Sequence, residues 1–387
     1  MTEWKKLLRP ASVIIAIVIL LVLSVHLYGN MYFGEVAFRD ARVKMYAYLE
    51  EQSDPLSWAL KYREEIDALL EETQMQIMFS DDIDANRELL DEYDDLTNQD
   101  GMFASTIGGD YLCLNAAIKS MQRVVELEQT WENEIQNMQR AAKRLNDPKL
   151  LSESQHLERA YEKLETPEIG NYEPFENWIT WNGSYGWIVM LAVAYIVSFV
   201  FSSEKKNGMH ALLLAVAIHP RRIAYRKVAC SLVSAFLIIS LLFALSLGIT
   251  WYMTRDLWAL SQPVQAISSM QYSCLSLKIG EMVLVQYGLY IAAAVLIVGL
   301  TLLISTLQKE AWIVFAVSAS IVLIPNVVGL ILNCPQKYLL NGWLGAAEWL
   351  RISPWYVIAF VLCTITSGIL LAIQACKNFG GVRNVAI

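Results

Sequence analysis

The chain has 387 residues, 55% of them hydrophobic and 18% charged, with a formal net charge of −8 and a mean hydropathy of +0.37. An ordinary soluble domain holds fewer apolar and more charged residues, so that class is excluded. Clustering decides what replaces it: a hydrocarbon core about 30 Å thick takes roughly 20 apolar residues per helical crossing, and several stretches of this sequence reach that length.

The first such stretch, Ala11–Gly29, follows the basic residues Lys5, Lys6 and Arg9. A basic start also fits a cleaved signal peptide. The apolar run is long for one, however, and His26-Leu27-Tyr28-Gly29-Asn30 offers no small-x-small cleavage pattern, so an uncleaved anchor is expected.

Residues 30–180 differ in kind. They hold 32 acidic and 14 basic residues, a net charge of 14 − 32 = −18, against 16 − 6 = +10 for the rest of the chain. Asp54-Pro55 and Asp147-Pro148 each set a capping residue before a proline at the first helical position. Ala59, Tyr62, Ile66, Leu69 and Leu70 recur at spacings of three and four, as do Val124, Leu127, Trp131, Ile135 and Met138. That spacing lines one face of a helix. Asn98–Asp110, with Gly101, Gly108 and Gly109, reads as a turn or long loop. A bundle of three or four helices is predicted. The run Asp81–Asn86 resembles the start of an EF-hand loop, but counting from Asp82 the sixth and twelfth positions are Arg87 and Tyr93 instead of Gly and Glu. A solvated helix face with capping acids is the expectation there.

Five more apolar stretches follow, Tyr185–Ser203, Val228–Met253, Met282–Leu307, Ala311–Leu332 and Pro354–Cys376, and none of the six has Asp, Glu, Lys or Arg in its interior. Lys205, Lys206, Arg221, Arg222, Arg226 and Lys227 fill the loop after the second. Lys309 sits between the fourth and fifth, and Lys377 and Arg383 follow the sixth. With six spans, all these residues and both chain ends lie on one side, which the excess of basic residues makes the cytoplasm. Trp178, Trp181, Tyr185, Trp187, Trp251, Tyr252, Trp355 and Tyr356 then form the outer aromatic belt. The expected fold class is an all-α membrane protein with six transmembrane helices and a large extracytoplasmic helical domain between helices 1 and 2. The domains are 1–29, 30–180 and 181–387.

Motifs for chemistry are missing. There is no G-x-x-x-x-G-K-[ST], no G-x-G-x-x-G after a strand and no H-E-x-x-H. His26, His156, His210 and His219 fall in three compartments, and the six cysteines show no framework spacing. No catalytic site, metal, cofactor or nucleic-acid partner is expected on this chain. The spans also lack the ionisable residues of a pump or proton-coupled carrier; only neutral polar residues such as Gln286 and Asn326 occur. Pro325 and Gly329 interrupt the fifth span, where helix packing is the plainest reading.

The loop Ser202–Lys227 is too apolar for a solvated linker and too short to span. Met209–Ile218 reads as a short helix ended by His219-Pro220, with Leu212, Leu213, Val216 and Ala217 free to face a partner or the inner membrane surface. The succession Glu204, Gly208, Leu212-Leu213, Pro220-Arg221-Arg222 and Lys227 resembles the permease subunits of ABC-2 type transporters. So does the short turn Leu303–Glu310, with Lys309 and Glu310, between the fourth and fifth spans. Leu339–Leu350 is similar to the family's re-entrant outer segment, and Met1–Pro10 to its amphipathic elbow helix. The large domain after the first span departs from the compact drug and polysaccharide exporters and leaves the substrate open among peptides, lipophilic antibiotics and lipid-like molecules.

The resemblance implies a permease of an ATP-driven exporter in a bacterial plasma membrane. Two permeases, identical or homologous, would pair in the lipid, and each would dock an ABC ATPase subunit carrying ATP and Mg. Glu204, Gly208, Leu212, Leu213, Val216, Pro220, Arg221, Lys227, Lys309 and Glu310 would couple to that ATPase. Tyr195 and Phe199 of the second span, with Pro325 and Asn326 of the fifth, would line the substrate path. The alternative is a receptor or accessory protein that senses a ligand through its external domain, since span, bundle and span is also a receptor layout. A membrane-embedded enzyme is opposed by the lack of any acid, base or metal constellation.

Overall fold

The computed structural model describes residues 10–31, 39–79, 94–95, 97–165, 167–168, 170, 172–216, 220–254, 257–273, 275–331, 344 and 354–381. Among them the chain is helical, with no strand. The helices are α1 (Pro10–Met31), α2 (Arg39–Glu50), α3 (Pro55–Phe79), α4 (Ile107–Leu145), α5 (Pro148–Tyr161), α6 (Glu173–Lys206), α7 (Met209–Val216), α8 (Pro220–Thr254), α9 (Ile279–Leu307), α10 (Ala311–Ile331) and α11 (Pro354–Gly381). Each of the six apolar stretches falls on a helix. Four helices, α6, α8, α9 and α11, are long and apolar enough to cross a membrane. The apolar parts of α1 and α10, Ile17–Gly29 and Ala311–Ile324, are shorter. The acidic run 81–86, the segment 1–9 and all of 339–350 except Leu344 lie outside the described residues.

The chain divides into two compact units. One, here the apolar unit, takes residues 1–28, 177–249 and 273–387. The other, the acidic unit, takes 29–176 and 250–272.

In the apolar unit α9 packs on α10 and α11. A Cβ on Gly299 would lie 2.2 Å from the carbonyl oxygen of Gly368, and one on Gly368 would lie 2.6 Å from that of Val295. The two backbones therefore touch, a crossing that only small residues permit. Ile17, Val18, Leu21 and Val22 on α1, and Val233, Phe236, Leu237 and Leu241 on α8, stay exposed. Apolar faces of that extent are stable in hydrocarbon and unstable in water. The aromatic belt read from sequence is only partly kept. Trp251 and Tyr252 are exposed, whereas Trp178 and Trp181 are buried. Trp178 packs edge-on against Phe243, with ring centroids 5.6 Å apart, and the Trp181 indole N–H donates to Nδ1 of His26 on α1 at 3.4 Å.

A polar node crosses the same region. The Gln286 amide donates to the carbonyl oxygens of Ile179, at 3.2 Å, and Leu344, at 2.8 Å. The Tyr290 hydroxyl donates to that of Asn182 at 2.5 Å, and the Asn182 amide to that of Trp178 at 2.9 Å. The side chains of Gln286, Tyr290 and Asn182 are all fully buried. Sequence singled out only Gln286.

The acidic unit is organised around α4, against which α2, α3 and α5 pack. Met45, Leu49, Ala59, Ile66, Leu114, Ala117, Ile118 and Met121 form its core, with Tyr62 partly buried against it. Ala59, Tyr62 and Ile66 of the α3 stripe thus point inward as expected, while the side chains of Leu69 and Leu70 lie outside the described residues. Leu127, Trp131 and Ile135 continue the buried stripe, and Trp131 meets Tyr161 of α5 at 5.5 Å. Both proline-marked starts are capped. Asp54 accepts from the Ser57 N–H and hydroxyl, bonds that hold its carboxyl below the usual range. Asp147 accepts from the N–H groups of Lys149 and Leu150.

The loop before α4 is fixed by Asp110. This carboxylate is fully buried and accepts from the N–H groups of Met102, Phe103 and Ala104 and from the Tyr62 hydroxyl at 2.8 Å. Burial first, and then that bond to Asp110, push the Tyr62 hydroxyl well above its ordinary range.

Residues 250–272 join this unit through three short 3₁₀ turns. The Trp258 indole N–H donates to Glu168 at 2.6 Å, Gln262 accepts from the Glu168 N–H at 3.1 Å, and the Ser268 hydroxyl donates to Glu176. Glu176 also pairs with Arg123 of α4 at 3.1 Å. Nothing periodic in 250–272 marks it as a partner of a domain some 80 residues earlier in the chain.

Candidate functional site around Glu204 and Lys227

The last turn of α6 carries Glu204, Lys205 and Lys206, and each reaches a different element. Glu204 and Lys227 of α8 form an ion pair whose side chains are 7% and 2% exposed. The Lys227 ammonium also donates to the carbonyl of Val200 at 3.3 Å. It lies 5.3 Å from the ring centroids of both Phe201 and Phe379, which are themselves 4.7 Å apart. One cation thus ties α6, α8 and α11 together. Desolvating two charges is expensive, and only mutual attraction with further contacts to the ammonium offsets it.

The other two lysines reach the turn between α9 and α10. Lys205 donates to the carbonyl of Thr306, and Lys206 pairs with Glu310 at 2.7 Å. The second pair is largely exposed and contributes little to stability. Lys309 is exposed and makes no such bridge among the described residues.

Between the paired residues sits α7. Gly208 precedes it with φ +66°, a left-handed conformation that costs a residue with a Cβ about 1–2 kcal/mol. The eight-residue helix presents Met209 and Leu212, 43% and 60% exposed, while Leu213 is half-buried. Val216 ends α7 and Pro220 opens α8, the side chains of both lying outside the described residues. Arg221 is exposed. Of the ten residues singled out here, the structure joins Glu204 to Lys227 and brings Glu310 to Lys206. Phe201, Phe379, Lys205 and Thr306 were not anticipated. Phe201 stands one helical turn before Glu204, which was the available hint, but nothing local points to Phe379.

The second set is partly assembled. Tyr195 and Phe199 meet at 5.2 Å, and Tyr195 stands perpendicular to Phe315 of α10 at 5.4 Å. Helix α6 therefore touches α10 through Phe315. Pro325 and Asn326 lie within α10, their side chains outside the described residues. No group of three or more metal-ligating side chains occurs among the described residues.

Four helices long and apolar enough to cross a membrane define a multi-pass membrane protein. The model of the ABC-2 family transporter proteins matches residues 10–380, and the chain belongs to that family. It is an ABC-2 type permease, the membrane component of an ABC transporter, and that membership implies an ATPase partner. Comparison with curated proteins and with solved structures finds no match.

Proposed function

We propose that this permease works in an ATP-driven exporter and that α7 is its coupling helix. The observation that carries the reading is the hairpin itself: α7 offers Met209 and Leu212 outward while Glu204 and Lys227, on its two flanks, are locked to one another. A force applied to α7 by an ATPase would pass through a rigid, buried link into α6 and α8. In this reading six helices cross a bacterial plasma membrane with both ends inside, and the acidic unit lies outside. A second permease completes the pathway, and ATP and Mg bind the ATPase. The substrate would be hydrophobic or amphipathic, moving beside Tyr195, Phe199 and Phe315.

Replacing Leu212 with Asp tests the coupling role. The side chain is exposed, so folding should survive, while a charge in an apolar interface costs several kcal/mol or separates the surfaces. Co-purification with the ATPase, or stimulation of its ATP hydrolysis, should fall at least tenfold, and Leu212→Met should retain both. Full assembly and turnover in Leu212→Asp would refute the assignment. For sidedness, a cysteine at Ser105 should react with an impermeant thiol reagent in intact cells and one at Asn207 should not.

A further inference from the structure

The outward face of α8 joins two features that the coupling role leaves unused. Arg222, Arg226 and Val233 are spaced four and seven residues apart, which sets both arginines within about 20° of the line through Val233 on the helix surface. Both arginines are exposed, and neither has an ion-pair partner among the described residues. Further along the same helix, Leu232, Val233 and Phe236 form one wall of a groove whose other wall is Ile291, Ala294 and Val295 of α9. Its volume is about 280 Å³ and every lining residue is apolar. An apolar cavity of roughly 150 Å³ already accommodates a benzene ring.

The spacing matches one molecule. From Arg226 to Phe236 is ten residues, about 15 Å of helix rise, or half of a hydrocarbon core about 30 Å thick. We propose that this face binds an anionic phospholipid, its phosphate held by Arg222 and Arg226 and one acyl chain lying in the groove between α8 and α9. Charge complementarity selects the headgroup: two exposed guanidinium groups present fork-shaped donors that match phosphate oxygens. They stand in the first turns of a helix, whose N-terminal end carries partial positive charge. Groove walls formed by apolar side chains favour a hydrocarbon chain as the occupant.

The test uses the full-length protein purified in detergent, given equal amounts of dioleoyl phosphatidylglycerol and dioleoyl phosphatidylcholine, with bound lipid counted by native mass spectrometry. Wild type should retain phosphatidylglycerol in preference by roughly tenfold or more, the scale set by two cations at a lipid surface. The double variant Arg222→Ala/Arg226→Ala should bring the ratio near one. Val233→Trp, which fills the groove from its exposed side, should lower retention of both lipids. Folding of each variant is checked by its elution as a single species, and a variant that fails is replaced by Arg222→Gln/Arg226→Gln or Ile291→Phe, with the same outcomes required. An unchanged ratio in the arginine variant overturns the proposal. So does Val233→Trp leaving lipid bound while converting a dimer to monomer, because the groove would then seat a neighbouring copy.

Discussion

Glu204 in the apolar unit and Asp110 in the acidic unit are the two carboxylates buried among the described residues, and different groups neutralise them. Asp110 is wrapped by three backbone N–H groups and the Tyr62 hydroxyl. Glu204 is answered by a lysine. The contrast follows from the backbone each unit supplies. A loop such as 101–104 has N–H groups that no helix uses, so it can solvate an anion. Within a long helix those N–H groups are committed to the carbonyls one turn back, so a buried carboxylate there needs a cation on a neighbouring helix. A carboxylate held by a loop fixes the loop. One held by a cation on another helix fixes two helices to each other.

The largest expected effect strips Glu204 of its cation. Lys227→Met should destabilise the purified protein by about 3–5 kcal/mol, the usual consequence of leaving a buried charge alone, read as a lowered thermal midpoint in detergent. Glu204→Met/Lys227→Met should recover most of that loss, because replacing a whole buried pair by apolar groups is often neutral. It should remain deficient in ATPase stimulation if the pair transmits force. A double variant no more stable than the single would break the contrast, since it would mean that something other than charge burial holds the hairpin.

Asp110→Asn should come next, at about 2–3 kcal/mol, because an amide nitrogen then faces buried donors that needed an acceptor. Denaturant unfolding monitored by circular dichroism reads it out, and no introduced cation should rescue it. Tyr62→Phe should be milder, near 1 kcal/mol. Burial and Asp110 raise the Tyr62 hydroxyl from its ordinary value of 10.0, so its bond is present below that value and is lost only as the pH rises through the higher folded value. The Tyr62→Phe difference should therefore stay constant across neutral pH.

The smallest effect concerns a cap. Asp147→Ala should remove about 1 kcal/mol, visible as faster hydrogen exchange in the first turn of α5 with α4 unchanged. A change spread over the whole acidic unit would show instead that α5 unfolds together with α4.

Helix positions, caps and the α3 and α4 stripes were legible in the sequence, because apolar spacing and capping chemistry are local. Long-range pairings were not. Glu204 and Lys227 were each picked out, but only their helices' packing reveals that they pair, and Phe379, 152 residues after Lys227 in the chain, has no local mark at all. Trp178 and Trp181 read as interfacial because tryptophans near a span end usually are, and tertiary packing against Phe243 and His26 overrode that tendency. The union of 250–272 with the acidic unit has a practical corollary. A fragment covering only 29–176 leaves Glu168 and Glu176 without Trp258 and Ser268, and should unfold at lower denaturant than the same fragment joined to 250–272.

The contact of Gly299 with Gly368 has a mechanical meaning. Helices separated by side chains can slide or roll, since rotamers yield before backbones do. Where carbonyl oxygen meets Cα there is nothing left to yield, so α9 and α11 behave as one spar. In the proposed transport cycle the expectation is that other helices move around that spar. The aromatic seam of Tyr195 and Phe315, in which rings can turn past one another, is a joint of the kind that can open.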